Sequence, residues 1–454
     1  MLVTVSAHGG ETAATQNHAP LYTVSKELAE QHRDAYTTEW QVTSPDMVVF
    51  LPEGPKTPES KNEHFIVFPT KSGAFFAVWT SAYTESNANQ HIVFSVSRDQ
   101  GRTWSKPETI AGPEAVNPEG KGMASWGFSI YVPTMDRIYV FYLKNIGPND
   151  WHKGISGTMS FVYTEDEGKS WSDEYTVAFR RTAIMSPDPD IPQNWIIWQQ
   201  PVEITPGQIL GCGTVWASKS EKETNPAMPG GTECWFWRFD NILEERDPAK
   251  LEVTLLPDDP HGIRMPERQG SLDSAAEEPT VGRLSDGRWF CVFRTHQGCV
   301  GYAISEDEGK NWSDAKPLRY HDGGEIVLHP RSSCPIYPLE DGRFFMTTHN
   351  NDGSANGGKH PYDAYRNRTP TFYLLGKEML DKEQPVWFSS PIKFLDNQAK
   401  PMGPEGRISV GIYTSFFIYE GKRYYFYPDR KHFLLGRFIT DAMLEDAEAV
   451  WPGP

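Results

Sequence analysis

Five arginines in this 454-residue chain, Arg264, Arg294, Arg331, Arg366 and Arg368, fall at breaks between strand-like runs. A guanidinium fork holds a carboxylate through two parallel N–H bonds, so a face that gathers several of them suits a uronic or sialic acid. His296 lies two residues beyond Arg294, and Trp198 and Gln199 add an aromatic plane for a sugar ring and an amide for its hydroxyls. Hydrolysis of a glycosidic bond requires two carboxylates, or a tyrosine assisted by one. Glu278 with Tyr413 would supply the second arrangement, with Asp188, Asp190 or Glu405 as the acid. Elimination next to a uronate instead needs a base for the proton α to the carboxyl and cations for the enolate. His91, facing Arg264, Arg294 and Arg331, would be that base.

Residues so far apart in sequence act together only if a fold brings them to one place. Three copies of a short pattern show how: Ser97-Arg98-Asp99-Gln100-Gly101-Arg102-Thr103-Trp104, Thr164-Glu165-Asp166-Glu167-Gly168-Lys169-Ser170-Trp171 and Ser305-Glu306-Asp307-Glu308-Gly309-Lys310-Asn311-Trp312. The Asp side chain folds onto nearby backbone N–H groups, the Gly takes a positive φ, and the Trp anchors the turn. The spacing is about 70 residues, then about twice that, which signals a repeat architecture. A turn followed by an aromatic-rich strand recurs six times, at Lys71–Trp79, Thr134–Tyr142, Thr205–Leu210, Ser285–Arg294, Glu340–Met346 and Tyr419–Tyr427. Each reads as a hairpin between two β-prone runs. They predict an all-β chain folded as a β-propeller of six blades, four antiparallel strands each, with room for a seventh. Blade cores should start near residues 64, 127, 197, 277, 331 and 410. Residues 61–454 then form the propeller, and residues 1–60 precede it, with Asp46–Leu51 supplying a closing strand or part of a blade. Short helices are expected near Lys26–Arg33 and Thr440–Ala447.

The repeated turn resembles the Asp-box, or bacterial neuraminidase repeat, and residues 64–440 resemble the sialidase-like β-propeller superfamily. That resemblance implies that the Asp-boxes are structural and that chemistry sits on the opposite face, over the central axis. It implies that Arg294 corresponds to one member of a carboxylate-binding arginine triad and that Arg366 or Arg368 stands where a later member would. It also implies that Tyr413-Thr414-Ser415 is similar to the motif whose phenol is the nucleophile in sialidases. One departure is plain. The Arg-Ile-Pro motif that carries the first triad arginine is missing, and the equivalent stretch reads Phe65-Ile66-Val67-Phe68-Pro69.

Composition sets the remaining bounds. A formal charge of −17 argues against nucleic acid or an anionic membrane as partner, while leaving room for a local arginine cluster. No run approaches the length of a membrane span. Five cysteines without metal-ligand spacing fit buried free thiols, although Cys291 and Cys299 stand across a hairpin and are placed to pair. No cofactor is expected; a Ca²⁺ held by loop carbonyls and carboxylates would leave no regular spacing. Met1–Gln16 lacks the apolar run of a signal peptide. The protein would be secreted or periplasmic if a leader had been removed, and cytoplasmic otherwise. Together these features point to an exo-acting glycosidase that removes a terminal sugar from an acidic oligo- or polysaccharide. A rhamnose–glucuronate type of polysaccharide lyase using a His base, and a non-catalytic glycan-binding propeller, are the other two readings.

Overall fold

The computed structural model describes residues 24–113, 120–224, 230–360 and 363–452; Met1–Gln16 lie outside them. Six sheets of four or more strands, antiparallel apart from the short parallel pairing of Ser274–Ala275 with Gly231–Phe239, succeed one another along the chain and form a propeller ring. Their inner strands begin at Lys61, Ala124, Trp195, Glu277, Ile336 and Ser415. Each expected turn-and-strand unit is the hairpin between a blade's first and second strands. In the third blade the inner strand is split into Trp195–Ile197 and Val202–Thr205, both paired with Gln208–Trp216. The ring is joined by Met47–Phe50, which lies antiparallel to Phe433–Ile439 as the outermost strand of the last blade. Helices occupy Lys26–Gln31 and Asp441–Ala449, the latter capped by the Thr440 side chain.

Aromatic side chains fill the wedges between blades. Phe65 of the first blade meets Phe426 of the last edge-on at 6.0 Å, and Phe128 of the second meets Phe239 of the third at 6.2 Å. The three Asp-box turns share one hydrogen-bond scheme. Asp307 accepts from the Asn311 backbone N–H at 2.9 Å and its side-chain amide at 2.7 Å, while Ser305 Oγ accepts from Gly309 N at 2.8 Å. Gly101, Gly168 and Gly309 have φ of +87°, +87° and +81°, which a Cβ would strain. The tryptophan that ends each turn leans on the preceding blade: Trp104 on Phe426 at 6.1 Å, Trp171 on Phe94 at 5.2 Å and Trp312 on Phe236 at 4.8 Å. The Asp-box thus acts as an inter-blade clasp. Asp307→Ala should cost about 0.5–1.5 kcal/mol, because it removes hydrogen bonds of the clasp whose donors can turn to water. A denaturant midpoint measures this, and kcat should not change, since the turn lies on the far face from the cavity described below.

All five cysteines, Cys291 and Cys299 included, are free and buried. Among the described residues no helix is long and apolar enough to cross a membrane, and no group of three His, Cys, Asp or Glu side chains is placed to hold a metal.

Candidate active site

Four residues that are not glycine adopt a left-handed backbone at the same place in four different blades. They are His64 (φ 50°), Trp126 (φ 59°), Glu278 (φ 51°) and Tyr413 (φ 56°). The first three sit where the inner-strand register slips, between Glu63 and Ile66, Ser125 and Phe128, and Glu277 and Thr280. Tyr413 stands just ahead of the last inner strand, Ser415–Tyr419. A bulge re-aims its side chain, and each left-handed residue costs about 1–3 kcal/mol, so the surrounding structure must impose it. Hydroxyls do so in part. Thr80 Oγ1 accepts from Trp126 N at 2.8 Å, Thr214 Oγ1 from Glu278 N at 2.8 Å and Ser333 Oγ from Tyr413 N at 3.2 Å.

All four side chains line one cavity of about 260 Å³. Its wall also takes Glu85 and His152 from loops between second and third strands, Thr214 from the third blade, Arg331 and Arg368 from the fifth, and Arg407 and Lys431 from the sixth. A cavity touched by every blade can lie only on the axis. Its residues come from the ends of strands opposite the Asp-box turns.

At the bottom, Tyr413 Oη donates to Glu278 Oε1 at 3.0 Å. Glu278 Oε2 has no hydrogen-bond partner among the described residues. Arg294 Nη1 lies 2.6 Å from Glu278 Oε1, and Arg294 Nη2 lies 2.5 Å from Glu277 Oε2. Arg331 and His296 also reach Glu277, each at 3.3 Å. Burial works to raise the Glu277 pKa, but the guanidinium groups of Arg294 and Arg331 outweigh it and hold the carboxyl well below its ordinary range. Arg294 is therefore fully engaged by two carboxylates. Arg368 differs: it is 3% exposed, its Nε donates to the Arg331 carbonyl at 2.9 Å, and among the described residues no carboxylate lies within ion-pair distance.

The opposite wall is a second charged cluster. Glu85 bonds Arg407 and lies 3.1 Å from Lys431 Nζ, which lies 2.5 Å from buried Glu63 and 5.0 Å from the centre of the Tyr413 ring. Burial alone would raise the Glu85 pKa; Lys431, Lys61 and Arg407 reverse this and keep it well below the usual carboxylate range. Burial also keeps His64 neutral, its pKa well below the ordinary value, with its ring 4.5 Å from both Trp126 and Tyr413.

Of the residues expected from sequence, Glu278, Tyr413, Arg294, Arg331 and Arg368 meet in this cavity. Trp198 and Gln199 are buried beside it, Trp198 packing 6.1 Å from the Tyr413 ring while its indole donates to Pro279 O. His296 backs the cavity through Glu277. Arg366 is exposed, with its backbone N–H bonded to Asp363. Arg264 lines a different hollow, with Asp259 and His261, and stands 3.4 Å from buried Glu233. His91 holds the Asn89 carbonyl at 2.7 Å and does not line the axial cavity, so the arginines it was expected to face are not its neighbours. Asp188, Asp190 and Glu405 do not line it either. His64, Glu85, Trp126, His152, Arg407 and Lys431 complete the wall. A turn of polar residues marks several of them in the sequence, but His64 lies within a hydrophobic strand and carries no such signal.

Fold and cavity define a sialidase-like β-propeller with one axial polar site. Residues 73–370 match the model of the BNR repeat-like domain, and the chain belongs to that family. Its fold is similar to that of the intramolecular trans-sialidase from Ruminococcus gnavus, solved with oseltamivir carboxylate (12% identity over 90% of this chain and 99% of that one, TM-score 0.53). It is also similar to the NanB sialidase from Streptococcus pneumoniae (12% identity, 89% and 72%, TM-score 0.54) and to a protein of unknown function from Dyadobacter fermentans (13% identity, 87% and 96%, TM-score 0.52). No curated protein sequence matches it. At these identities the likeness is one of fold.

Proposed function

We propose that the protein is an exo-acting glycoside hydrolase that removes a terminal acidic sugar, with Tyr413 as nucleophile and Glu278 as the base that takes its proton. The observation that carries this reading is the 3.0 Å hydrogen bond from the Tyr413 hydroxyl to Glu278, buried in a cationic axial cavity. A buried tyrosine beside a carboxylate is an activated nucleophile, and cations on the wall complement an anionic substrate. The fold shared with sialidases supports glycosidase chemistry. A cavity of about 260 Å³ falls below the ~300–1,000 Å³ of sites for drug-sized ligands, which suits one sugar residue rather than a chain. Besides Glu278, the carboxylate on the wall is Glu85. Held ionised by Arg407 and Lys431, it would have to leave these partners and take up a proton from solvent before it could protonate a departing oxygen, and an anionic substrate that engages Arg407 would free it to do so.

Arg368 is the group assigned to the substrate's carboxylate, because it is buried, charged and without an acid of its own. Arg368→Met should raise KM for an acidic glycoside by about 10- to 100-fold, the loss of a charge-assisted hydrogen bond worth about 1.5–3 kcal/mol. Folding stability should hold or rise, since an uncompensated buried charge is removed. An equal effect on an uncharged analogue would refute the assignment. The broader reading is tested by incubating the protein with sialosides, uronic-acid polysaccharides and plant gums and identifying products by mass. Products bearing an unsaturated uronate would mean elimination, and binding without any turnover would mean a lectin.

A further inference from the structure

Lys431 stands at the tip of the hairpin that joins Lys422–Asp429 to Phe433–Ile439. The turn is closed by His432 N, which donates to Asp429 O at 3.0 Å, and its two central residues, Arg430 and Lys431, are both left-handed, with φ of 59° and 50°. Asn-Gly takes this turn without strain; Arg and Lys are poorly suited to it. Side chains at such a tip ordinarily reach into water, yet Lys431 is 1% exposed and lines the axial cavity. The first blade holds the tip in place, Asn62 N donating to the Lys431 carbonyl at 2.7 Å and Asn62 Nδ2 to the His432 carbonyl at 2.9 Å. From the other side the Tyr36 hydroxyl lies 2.5 Å from His432 Nε2. The clamp imposes a strained backbone, and the result is a lysine aimed inward rather than outward.

Charge balance does not require it there. Lys431 Nζ lies 2.5 Å from Glu63 and 3.1 Å from Glu85, but each acid has a second cation, Lys61 for Glu63 and Arg407 for Glu85. The third contact of the ammonium is the face of the Tyr413 ring, 5.0 Å from its centre. A cation over an aromatic face is attracted by the ring's π-electrons, and more strongly once the ring shares the charge of a phenoxide. We propose that Lys431 acts through Tyr413, its ammonium stabilising the negative charge that this residue gains each time it enters or leaves a bond to the sugar. The inference rests on the reading of Tyr413 as nucleophile. In the first half-reaction the bond from Tyr413 Oη to the anomeric carbon forms and the glycosidic bond breaks; the phenol proton goes to Glu278, and the departing oxygen takes a proton from the acid. In the second, water adds to that carbon and its proton restores the acid. The aryl ether breaks, its electron pair stays on the phenol oxygen, and the proton returns from Glu278. Charge builds on the ring in both halves.

The test removes the charge and keeps the chain length. Lys431→Met should fold, since Glu63 and Glu85 each retain a cation, and should lower kcat on an acidic glycoside about 10- to 100-fold with KM held within about twofold. Lys431→Arg, which restores the charge, should recover most of the loss. A rise in KM alone would make Lys431 a ligand for the substrate and overturn the proposal. Equal losses in the two variants, an unchanged kcat, or a Lys431→Met protein that does not fold would overturn it as well. Should the wild-type protein turn over no acidic glycoside, the hydrolase reading fails separately, and the role of Lys431 is read without substrate. Acetylation of Tyr413 by N-acetylimidazole, located by peptide mass, measures the nucleophilicity of its oxygen directly. A rate about tenfold lower in Lys431→Met than in the wild type, recovered in Lys431→Arg, supports the role. Equal rates, or no acetylation of Tyr413 in either protein, overturn it.

Discussion

Tyr413→Phe is expected to lower kcat by about 10²–10⁴-fold while leaving the fold and substrate binding intact. The substitution deletes one oxygen from a ring that is 7% exposed and packed against His64 and Trp198, so shape and burial persist. What goes is the hydroxyl that donates to Glu278. Glu278→Gln should cost a similar factor, because the amide keeps the geometry and loses the capacity to take the proton. Residues that act as one unit are not additive, so the double variant should be hardly slower than the worse single variant. Steady-state kinetics on an acidic glycoside measure all three. Additive losses would separate the two residues and leave the tyrosine without its proposed role.

The second large effect concerns stability. Arg294→Ala removes the only cation among the described residues that bridges Glu277 and Glu278 and should destabilise the protein by about 3–5 kcal/mol, the usual consequence of breaking a buried ion pair by one partner. Arg294 is 5% exposed and Glu277 1%, so solvent cannot take over. Arg294→Lys should rescue little, because an ammonium lacks the planar fork that serves two carboxylates at once. Glu277 also gives the effect a pH signature. Its folded-state pKa is depressed, so it contributes stability above the unfolded value of about 4.3, and that contribution is lost as pH falls toward the folded value. In Arg294→Ala this acid-side loss should shrink. Denaturant midpoints across pH 3–7 test both statements, and a normally stable Arg294→Ala with a raised KM would return Arg294 to the role of ligand.

That reassignment shows how far the sequence reached. A run reading Glu-Glu-Pro, hairpin, Phe-Arg places an arginine at the end of a strand, but does not show whether its charge is spent within the protein. Antiparallel pairing of Glu277 with Arg294 decides that, by setting the two acids beside it. Arg368 and Arg366 are two residues apart, yet one is buried at the cavity and the other faces solvent. Nothing in their local sequence separates them. His91 has the chemistry of a base, but its ring turns to the Asn89 carbonyl two residues away.

The amino-acid sequence by itself determined the ring. Asp-Gly turns, terminal tryptophans and aromatic hairpins act through contacts within a few residues or with the next blade, so their spacing points to a propeller of six or seven blades, and the structure has six. Glu278 and Tyr413 entered as candidates through their resemblance to the sialidase pattern, each at the opening of an inner strand. The tertiary structure decided which charges are free. Ion pairing depends on distances across blades, between residues such as Glu85 and Arg407 that lie hundreds of positions apart. The left-handed bulges that turn His64, Trp126, Glu278 and Tyr413 toward the axis are likewise imposed by neighbouring blades, since Trp, Glu and Tyr rarely adopt that conformation on their own.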